Sequence, residues 1–239
     1  MTKSEITRFL IFRTLGNFLL LFSIFGVFAT FGPTLYYEIQ FRVLQARGVT
    51  YKVTAQTHVS TSPLGEILKE QKGLNQESGF AAVLSGKKEQ ILIPKDTQFS
   101  ILIPKIGASN KVFANVDPTN EKEFLPILYN GVAHAKGTVF PGMSGNIYLF
   151  AHSTDNFWDV GRYNAIFYLL KDLVPGDDIV IFFENRRHNY VVTESKVVND
   201  SDVMYLVEGQ EQKREQLILQ TCWPPGTTWK RLLVLARPK

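Results

Sequence analysis

The sequence lacks most of the residues and motifs that would identify a functional site directly. It contains one cysteine, Cys222, in 239 residues, which excludes an intramolecular disulfide and a zinc site built from thiolates. It has no His-Glu-x-x-His pair and no Gly-x-Ser-x-Gly turn, so neither a catalytic metal nor a hydrolase serine is supported. A net charge of +4 is too small for the basic stripe of a nucleic-acid-binding protein. With 45% hydrophobic and 20% charged residues, the chain has the composition of an ordinary folded domain.

A charge-free apolar stretch lies near the N-terminus, between Arg13 and Glu38. A helix of about 20 apolar residues crosses a bilayer, and residues 14–37 are long enough to do so. The excess of basic residues before this stretch predicts that residues 1–13 are cytoplasmic and that the remainder is exported. We expect Pro33 to mark the end of the spanning helix. The sequence therefore predicts a single-pass membrane anchor with an extracellular domain.

Two other interpretations of the apolar stretch are a cleaved signal peptide and a buried core helix. A signal peptide has an apolar core of about 7–15 residues and a small-x-small cleavage site. The stretch at residues 14–37 is longer, and residues 29–32 match a cleavage site poorly. These features favour an anchor that is retained.

The exported part divides into a stalk and a β-rich domain. Residues 38–96 contain a Ser- and Thr-rich stretch and several loop-like glycines and prolines, which predict a linker. Whether residues 54–98 instead form a lid over the domain stays open. The pattern of residues 97–239 has many short strands and one helical stretch near residues 163–170, with a turn at 184–187 that predicts a hairpin. Such a pattern favours a mostly-β barrel.

The last two predicted strands bring a thiol close to a guanidinium. Cys222 lies at the exit of the strand at residues 217–221, and a Pro-Pro-Gly turn reverses the chain before Arg231. If the two strands pair antiparallel, both side chains lie at the same end of the sheet. Arginine stays charged at any working pH, so Arg231 is suited to hold an oxyanion that forms next to Cys222. Taken alone, a single cysteine is more often a small buried hydrophobe, and Arg231 would then be only an edge-strand charge.

One of the four histidines stands where a scaffold presents reactive groups. His152 directly follows the predicted strand at residues 146–151, and strand exits next to loops commonly carry functional side chains. An imidazole close to a thiol can exchange a proton with it and protonate a departing amine. We expect His58, in the stalk, and His188, in the predicted hairpin turn, to be solvated.

Several further segments occur in an order that is typical of one enzyme family. They are the strand motif Ile-Leu-Ile-Pro-Lys-Ile-Gly at residues 101–107, the Gly-Val-Ala-His-Ala-Lys-Gly-Thr run at 131–138 with Pro-Gly at 141–142, the histidine strand at 145–152, the spacing of Phe167, Leu170 and Leu173 before residues 176–179, and Leu-Gln-Thr-Cys at 219–222 with Arg231 nine residues later. In these segments residues 97–238 resemble a sortase, a membrane-anchored cysteine transpeptidase of bacterial surfaces. The sequence departs from the family pattern at Ala151, where many members have glycine, and at Ile218 and Leu219. The turn at residues 222–227 fits no substrate subclass.

The resemblance implies an eight-stranded β-barrel with one or two short helices, and a thiol peptidase chemistry directed at cell-wall anchoring of surface proteins. Transferred position by position, it makes Cys222 the nucleophile, His152 the general acid and base, and Arg231 the cation that holds the oxyanion or positions the substrate. Its implied partners are the C-terminal sorting signal of an exported protein and an amine acceptor, either a peptidoglycan precursor or a pilin. His134 matches a recurrent family position, where we expect local hydrogen bonds.

No cofactor is needed for this chemistry. Some relatives bind calcium near the substrate, and acidic residues are available for that purpose, but carboxylates on loops are usually solvated. The acidic residues are Asp117, Glu121, Glu123, Asp200 and Asp202.

Three other functions compete with this prediction. An L,D-transpeptidase carries Ser-His-Gly-Cys, whereas Cys222 follows Gln-Thr. A papain-like peptidase has its cysteine before its histidine, whereas His152 precedes Cys222 here. The third is a catalytically silent module of the same fold that binds or organises surface proteins.

Overall fold

The structure is a computed structural model, and its parts separate into two compact units. The described residues are 3–53, 89–153, 167–202, 214–225 and 227–239. The first unit comprises Met1–Val43 and the second Leu44–Lys239.

Helix α1 spans Lys3–Ala46 and accounts for the first unit. Its segment Ser4–Ala29 has a mean hydropathy of 1.8 and is long and apolar enough to cross a membrane. This segment overlaps the predicted span at residues 14–37 and begins nearer the N-terminus. The expectation that the helix ends at Pro33 is wrong, because α1 continues to Ala46. A proline inside a long helix removes one backbone hydrogen bond, and the turns on either side maintain the helix.

The second unit is built around a closed barrel of eight strands, which confirms the predicted fold class. The described residues of this unit form ten strands: β1 (Thr50–Val53), β2 (Glu89–Leu92), β3 (Phe99–Ile103), β4 (Ala108–Val116), β5 (Val132–Ala135), β6 (Gly145–Phe150), β7 (Asp178–Phe183), β8 (Arg186–Asn199), β9 (Glu215–Trp223) and β10 (Lys230–Pro238). The order around the barrel is β10-β8-β7-β3-β4-β5-β6-β9, and β9 closes onto β10. The pairs β4–β5 and β6–β9 are parallel and the others antiparallel.

Alternation along the strands divides the barrel wall into an inner and an outer face. On β9, Leu217 and Leu219 point inward and join the main core, which also includes Ile147 and Leu149 of β6. Ile218, between the two leucines, belongs to a second cluster on the outer face. Burying these apolar side chains is the main favourable contribution to folding, at about 25 cal/mol per Å² of apolar surface removed from water.

The two remaining strands form a small parallel sheet that packs on the outside of the barrel. Strand β1 pairs with β2 in register. Tyr51 and Val53 of β1 pack against a buried cluster formed by Leu92, Leu102, Val180 and Phe182. The ring of Tyr51 lies so close to Gly107 that a Cβ at that position would be 2.8 Å from it. Both strands fall within the range predicted as a stalk and belong to the same compact unit as the barrel. Residues 54–88, most of the range considered for a lid, lie outside the described residues.

The connections differ from the sequence-based expectations in three places. Glu184 and Asn185 alone form the tight turn of the predicted hairpin, both with positive φ, so Arg186 and Arg187 belong to β8. This two-residue turn matches the right-handed twist of the flanking strands. His188 is therefore a strand residue, paired with Ile181 and half-buried, and the prediction that it lies in a solvated turn is wrong.

Helix α2, Glu121–Leu128, was not expected, since Pro126 stands inside it. Glu121 and Glu123 in its first turn interact favourably with the positive end of the helix dipole. Near the predicted helix at residues 163–170, the structure has a short 3₁₀ helix at Tyr168–Asp172, and residues 154–166 lie outside the described part.

Candidate active site

The hairpin of β9 and β10 places the thiol and the guanidinium opposite each other. Cys222 of β9 is paired with Arg231 of β10 in the antiparallel register. Residues directly opposite in such a pair have Cβ atoms about 4.5–5.5 Å apart and side chains on the same face. The predicted proximity of these two residues is therefore confirmed. Both side chains are partly exposed.

The parallel pairing of β6 with β9 brings His152 to the same end of the barrel. Phe150 pairs with Gln220, and the amide of Ala151 donates to the carbonyl of Gln220 at 3.2 Å. His152 follows Ala151 directly, so it lies at the end of the β6–β9 pair where Cys222 stands. The ring of Tyr129, at the end of α2, lies beside the imidazole with the ring centroids 5.7 Å apart.

All three residues belong to the outer face of the barrel. The alternation that sends Ala151 and Leu232 into the main core directs their neighbours His152 and Arg231 outward, and Cys222 shares the parity of the outward Ile218. We call the outer face of β6, β9 and β10 at this end the reactive face; its members are Tyr148, Phe150, His152, Ile218, Gln220, Cys222, Arg231 and Leu233. The three predicted site residues therefore lie on two adjacent strands, β9 and β10, and just beyond the end of a third, β6.

A buried hydroxyl ties the strand of the thiol to the strand of the histidine. Thr221 is 1% exposed and points into the barrel, where its Oγ1 donates to the carbonyl of Ala151 at 3.0 Å. Since Thr221 precedes Cys222 and Ala151 precedes His152, this bond links the backbone on which both reactive side chains stand. It stabilises the relative position of the thiol and the imidazole.

The electrostatics of the site keep the free thiol protonated. Burial raises the pKa of the Cys222 thiol, and the Arg231 guanidinium opposes this by lowering it. The raised pKa makes the neutral thiol the main form at pH 7. One guanidinium nitrogen of Arg231 donates to the carbonyls of Thr228 at 2.8 Å and Lys230 at 3.1 Å. In the described part of the chain, no carboxylate forms an ion pair with Arg231.

His134 lies inside the barrel and makes local hydrogen bonds, as expected. Its side chain is fully buried, its Nδ1 accepts from the amide of Asn115 at 3.3 Å, and its Nε2 lies 3.0 Å from the carbonyl of Val139. This arrangement requires the neutral tautomer with the proton on Nε2. Burial lowers the pKa of His134, which agrees with a neutral structural residue. The imidazole also stacks on Phe140, with the ring centroids 4.6 Å apart.

Two of the acidic residues considered for calcium, Asp117 and Glu123, accept hydrogen bonds from nearby residues. Glu123 accepts from the amide of Asp117 at 3.0 Å, and Asp117 accepts from the amide and hydroxyl of Thr119. Among the described residues, no group of three or more His, Cys, Asp or Glu side chains is arranged to hold a metal ion. His58 lies outside the described residues.

Two residues next to the predicted site, Tyr129 and Tyr148, were not identified from the sequence. Tyr129 lies beside His152, and Tyr148 donates a short hydrogen bond to Oε1 of Gln220, two residues before Cys222. Both contacts join segments that are distant along the chain, so no local pattern indicates them. The sequence does place Gln220 near the site, because it stands two residues before the cysteine and strand alternation puts both side chains on the same face.

Comparisons with known proteins agree with this architecture. The family model described as the sortase domain matches residues 101–239. Sortase C-1 from Actinomyces oris is 23% identical, with a TM-score of 0.50 over 72% of this chain and 98% of that chain. Sortase A from Corynebacterium diphtheriae is 20% identical, with a TM-score of 0.50 over 85% of this chain and 84% of that chain. At these identities the structural likeness concerns the fold. No match was found among curated proteins.

Proposed function

This chain belongs to the sortase family, because the family model covers residues 101–239, and from that membership we propose that it is a cysteine transpeptidase acting on sorting signals. The observation that carries the proposal is the strand register, in which Cys222 is opposite Arg231 and the parallel strand β6, paired with β9 up to Phe150 and Gln220, leads directly to His152. A family fold supplies the scaffold, and function depends on this arrangement of side chains.

The first half of the proposed reaction forms a thioester. His152 takes the proton of Cys222 as the sulfur attacks a peptide carbonyl, and Arg231 holds the negative charge that develops on the carbonyl oxygen. The carbon–nitrogen bond then breaks, and His152 gives the proton to the departing amine. Because the pKa of the free thiol is raised, the thiol is neutral before the reaction, and His152 removes its proton during the attack.

The second half transfers the acyl group to an amine. The acceptor nitrogen attacks the thioester carbonyl and His152 removes its proton. The carbon–sulfur bond then breaks, and His152 gives that proton to the sulfur, which restores the Cys222 thiol. A new amide forms without ATP, because the thioester retains the reactivity of the original acyl group. The acceptor is an amine of a peptidoglycan precursor or of a pilin.

The N-terminal helix gives the enzyme its proposed location. Residues 14–37 serve as a single-pass anchor with residues 1–13 in the cytoplasm, and the domain at 97–239 lies outside the cell beyond a connecting segment at 38–96. Support comes from the apolar segment Ser4–Ala29 and from the basic residues near its start. Confinement at the membrane raises the effective concentration of substrates that are held there.

A transpeptidation assay tests the proposal. The full chain in detergent is incubated with candidate sorting peptides and a short oligoglycine amine, and products are identified by mass spectrometry. We expect a peptide joined to the amine, and no such product with Cys222→Ala. A folded protein that joins no peptide would instead favour the silent module, which should still bind surface proteins after alkylation of Cys222.

A further inference from the structure

Helix α2 packs on the strand that leads to the proposed general base. Its side chains that face the barrel have the spacing of one helix face, and they are Phe124, Ile127 and Leu128. The ring of Phe124 meets the ring of Phe150 edge to face, with the ring centroids 6.1 Å apart. Phe150 is the last residue of β6, and His152 stands two residues beyond it. The helix therefore contacts the same short segment of chain that carries the imidazole.

The end of α2 is held against the barrel wall. The amides of Asn130 and Gly131 both donate to the carbonyl of Ile127, at 2.8 and 3.0 Å, which closes the last turn. Gly131 lies so close to β4 that a Cβ there would be 2.5 Å from the carbonyl oxygen of Lys111 and 2.9 Å from the ring of Phe113. Because no side chain separates the two backbones at this point, the turn that ends α2 has a defined position on the barrel.

The backbone of the sheet does not by itself fix the imidazole of His152. The pairing of β6 with β9 extends to Phe150 and Gln220, and the amide of Ala151 makes the next bond, to the carbonyl of Gln220. His152 lies beyond these bonds. The rotation of an imidazole about its Cβ–Cγ bond has broad minima. The direction in which its nitrogens point therefore depends on the groups that pack against the ring.

Tyr129 packs against that ring. The two ring centroids are 5.7 Å apart and the ring planes are tilted by 48°, and aromatic pairs attract each other over about 4.5–7 Å. The amide of Tyr129 donates to the carbonyl of Leu125 at 3.3 Å, so the residue belongs to the turn that is held on the barrel. Among the residues that the structure describes, none forms a hydrogen bond with the hydroxyl of Tyr129. Its contact with His152 is thus made by the ring.

We propose that Tyr129 is a positioning residue, whose ring orients the imidazole of His152 for proton exchange with Cys222. This inference rests on the proposed transpeptidase function and adds to its site a residue from outside the barrel strands. Proton transfer requires the donor and acceptor atoms to approach to about 2.6–3.2 Å, and a displacement of about 1 Å can lower a rate about 100-fold. Tyr129 acts through His152, so removing its ring should slow the chemical steps and leave peptide binding unchanged.

The test is steady-state kinetics of the full chain in detergent. A peptide that the wild type joins to oligoglycine is used at saturating amine, and kcat and the KM for the peptide are measured by product mass spectrometry. The variants are Tyr129→Leu, which removes the ring, and Tyr129→Phe, which keeps it without the hydroxyl. Leu125→Ala, an exposed change on the same helix, is the matched control. Circular dichroism and thermal melting verify the fold of each variant, and Tyr129→Met replaces Tyr129→Leu if the latter does not fold.

The three variants should separate the ring from the helix that carries it. Tyr129→Leu should lower kcat about tenfold or more, with the KM for the peptide within about twofold of the wild type. Tyr129→Phe should retain kcat within about twofold, because the ring contact with the imidazole is kept. Leu125→Ala should have the kinetics of the wild type.

Four outcomes would overturn the role of Tyr129 while the transpeptidase proposal stands. They are a wild-type kcat in folded Tyr129→Leu, a rise in KM at unchanged kcat, which would indicate contact with the peptide, an equal loss in Tyr129→Phe, which would assign the effect to the hydroxyl, and an equal loss in Leu125→Ala, which would assign it to the helix as a whole. A folded wild type that joins no peptide to the amine would instead refute the proposed function itself.

Discussion

The two ends of the parallel pair β6–β9 are built in opposite ways. At the end where both strands begin, Glu215 accepts hydrogen bonds from the hydroxyl of Tyr190 and, at 2.8 Å, from the amide of Gly142. Tyr190 is 1% exposed, so its hydrogen bond to Glu215 is buried, and we call this the closed end of the pair. At the end where both strands finish, Cys222 and His152 are partly exposed.

Under the proposed function, this difference separates residues that stabilise the barrel from residues that react. The buried hydrogen bond at the closed end contributes to the free energy of unfolding. At the other end, partial exposure makes the thiol accessible, and the adjacent cation is held only by backbone carbonyls in the described residues. Substitutions at the two ends should therefore have different consequences.

The largest expected effect is that of Cys222→Ala on activity. Removing the nucleophile should lower the transpeptidation rate by about 10⁴-fold or more, because the covalent intermediate can no longer form. The melting temperature should change little, since the side chain is only partly buried. Rates from product mass spectrometry and a thermal melt provide the measurement, and retained transpeptidation would disprove the assignment of the nucleophile.

Replacing Arg231 should have the next largest effect. Arg231→Ala removes the charge that faces the developing oxyanion and should lower kcat/KM by about 10²- to 10³-fold. Arg231→Lys is the matched control: it keeps the charge without the planar fork and should recover part of the rate. Equal rates for the wild type and Arg231→Ala would exclude the oxyanion role.

At the closed end, Tyr190→Phe should affect stability alone. It removes one buried hydrogen bond to a carboxylate, and the free energy of unfolding should fall by about 1.5–3 kcal/mol. Transpeptidation under conditions where the variant is folded should equal that of the wild type. Urea unfolding and the activity assay together measure the contrast, and a large loss of activity in folded Tyr190→Phe would contradict it.

Thr221→Val provides the corresponding change at the reactive end. The substitution keeps the shape and removes the bond to Ala151, so the free energy of unfolding should fall by about 1 kcal/mol. Activity should fall further than this loss of stability explains, because the bond positions the backbone of Cys222 relative to His152. An unchanged kcat in the folded variant would show that the bond has only a structural role.

The smallest expected change is in the titration of the thiol. Burial raises the pKa of Cys222 and Arg231 lowers it, so Arg231→Gln should raise this pKa further. Iodoacetamide alkylates the ionised thiol, so its rate rises with pH. This rise should occur at a higher pH in the variant than in the wild type. A shift of the alkylation profile to lower pH in Arg231→Gln would contradict the proposed interaction.

Contacts between residues that are close in the sequence could be predicted, and contacts between distant segments could not. The pairing of Cys222 with Arg231 follows from one hairpin, and the position of His152 follows from a strand exit. The bonds Tyr148–Gln220 and Thr221–Ala151 depend on the parallel pairing of β6 with β9, whose segments are about 70 residues apart, and no local periodicity predicts that register. Helix α2 was missed because it is short and contains Pro126.

The central claim is that Cys222 becomes acylated at the reactive face, and intact-mass measurement of the full chain tests it most directly. After incubation with a peptide that serves as substrate, the mass should increase by that of the acyl portion. Hydroxylamine, which cleaves thioesters, should remove the increase, and Cys222→Ala should show none. A folded wild type that produces cleaved peptide without any adduct on Cys222, including after rapid acid quenching, would contradict the account.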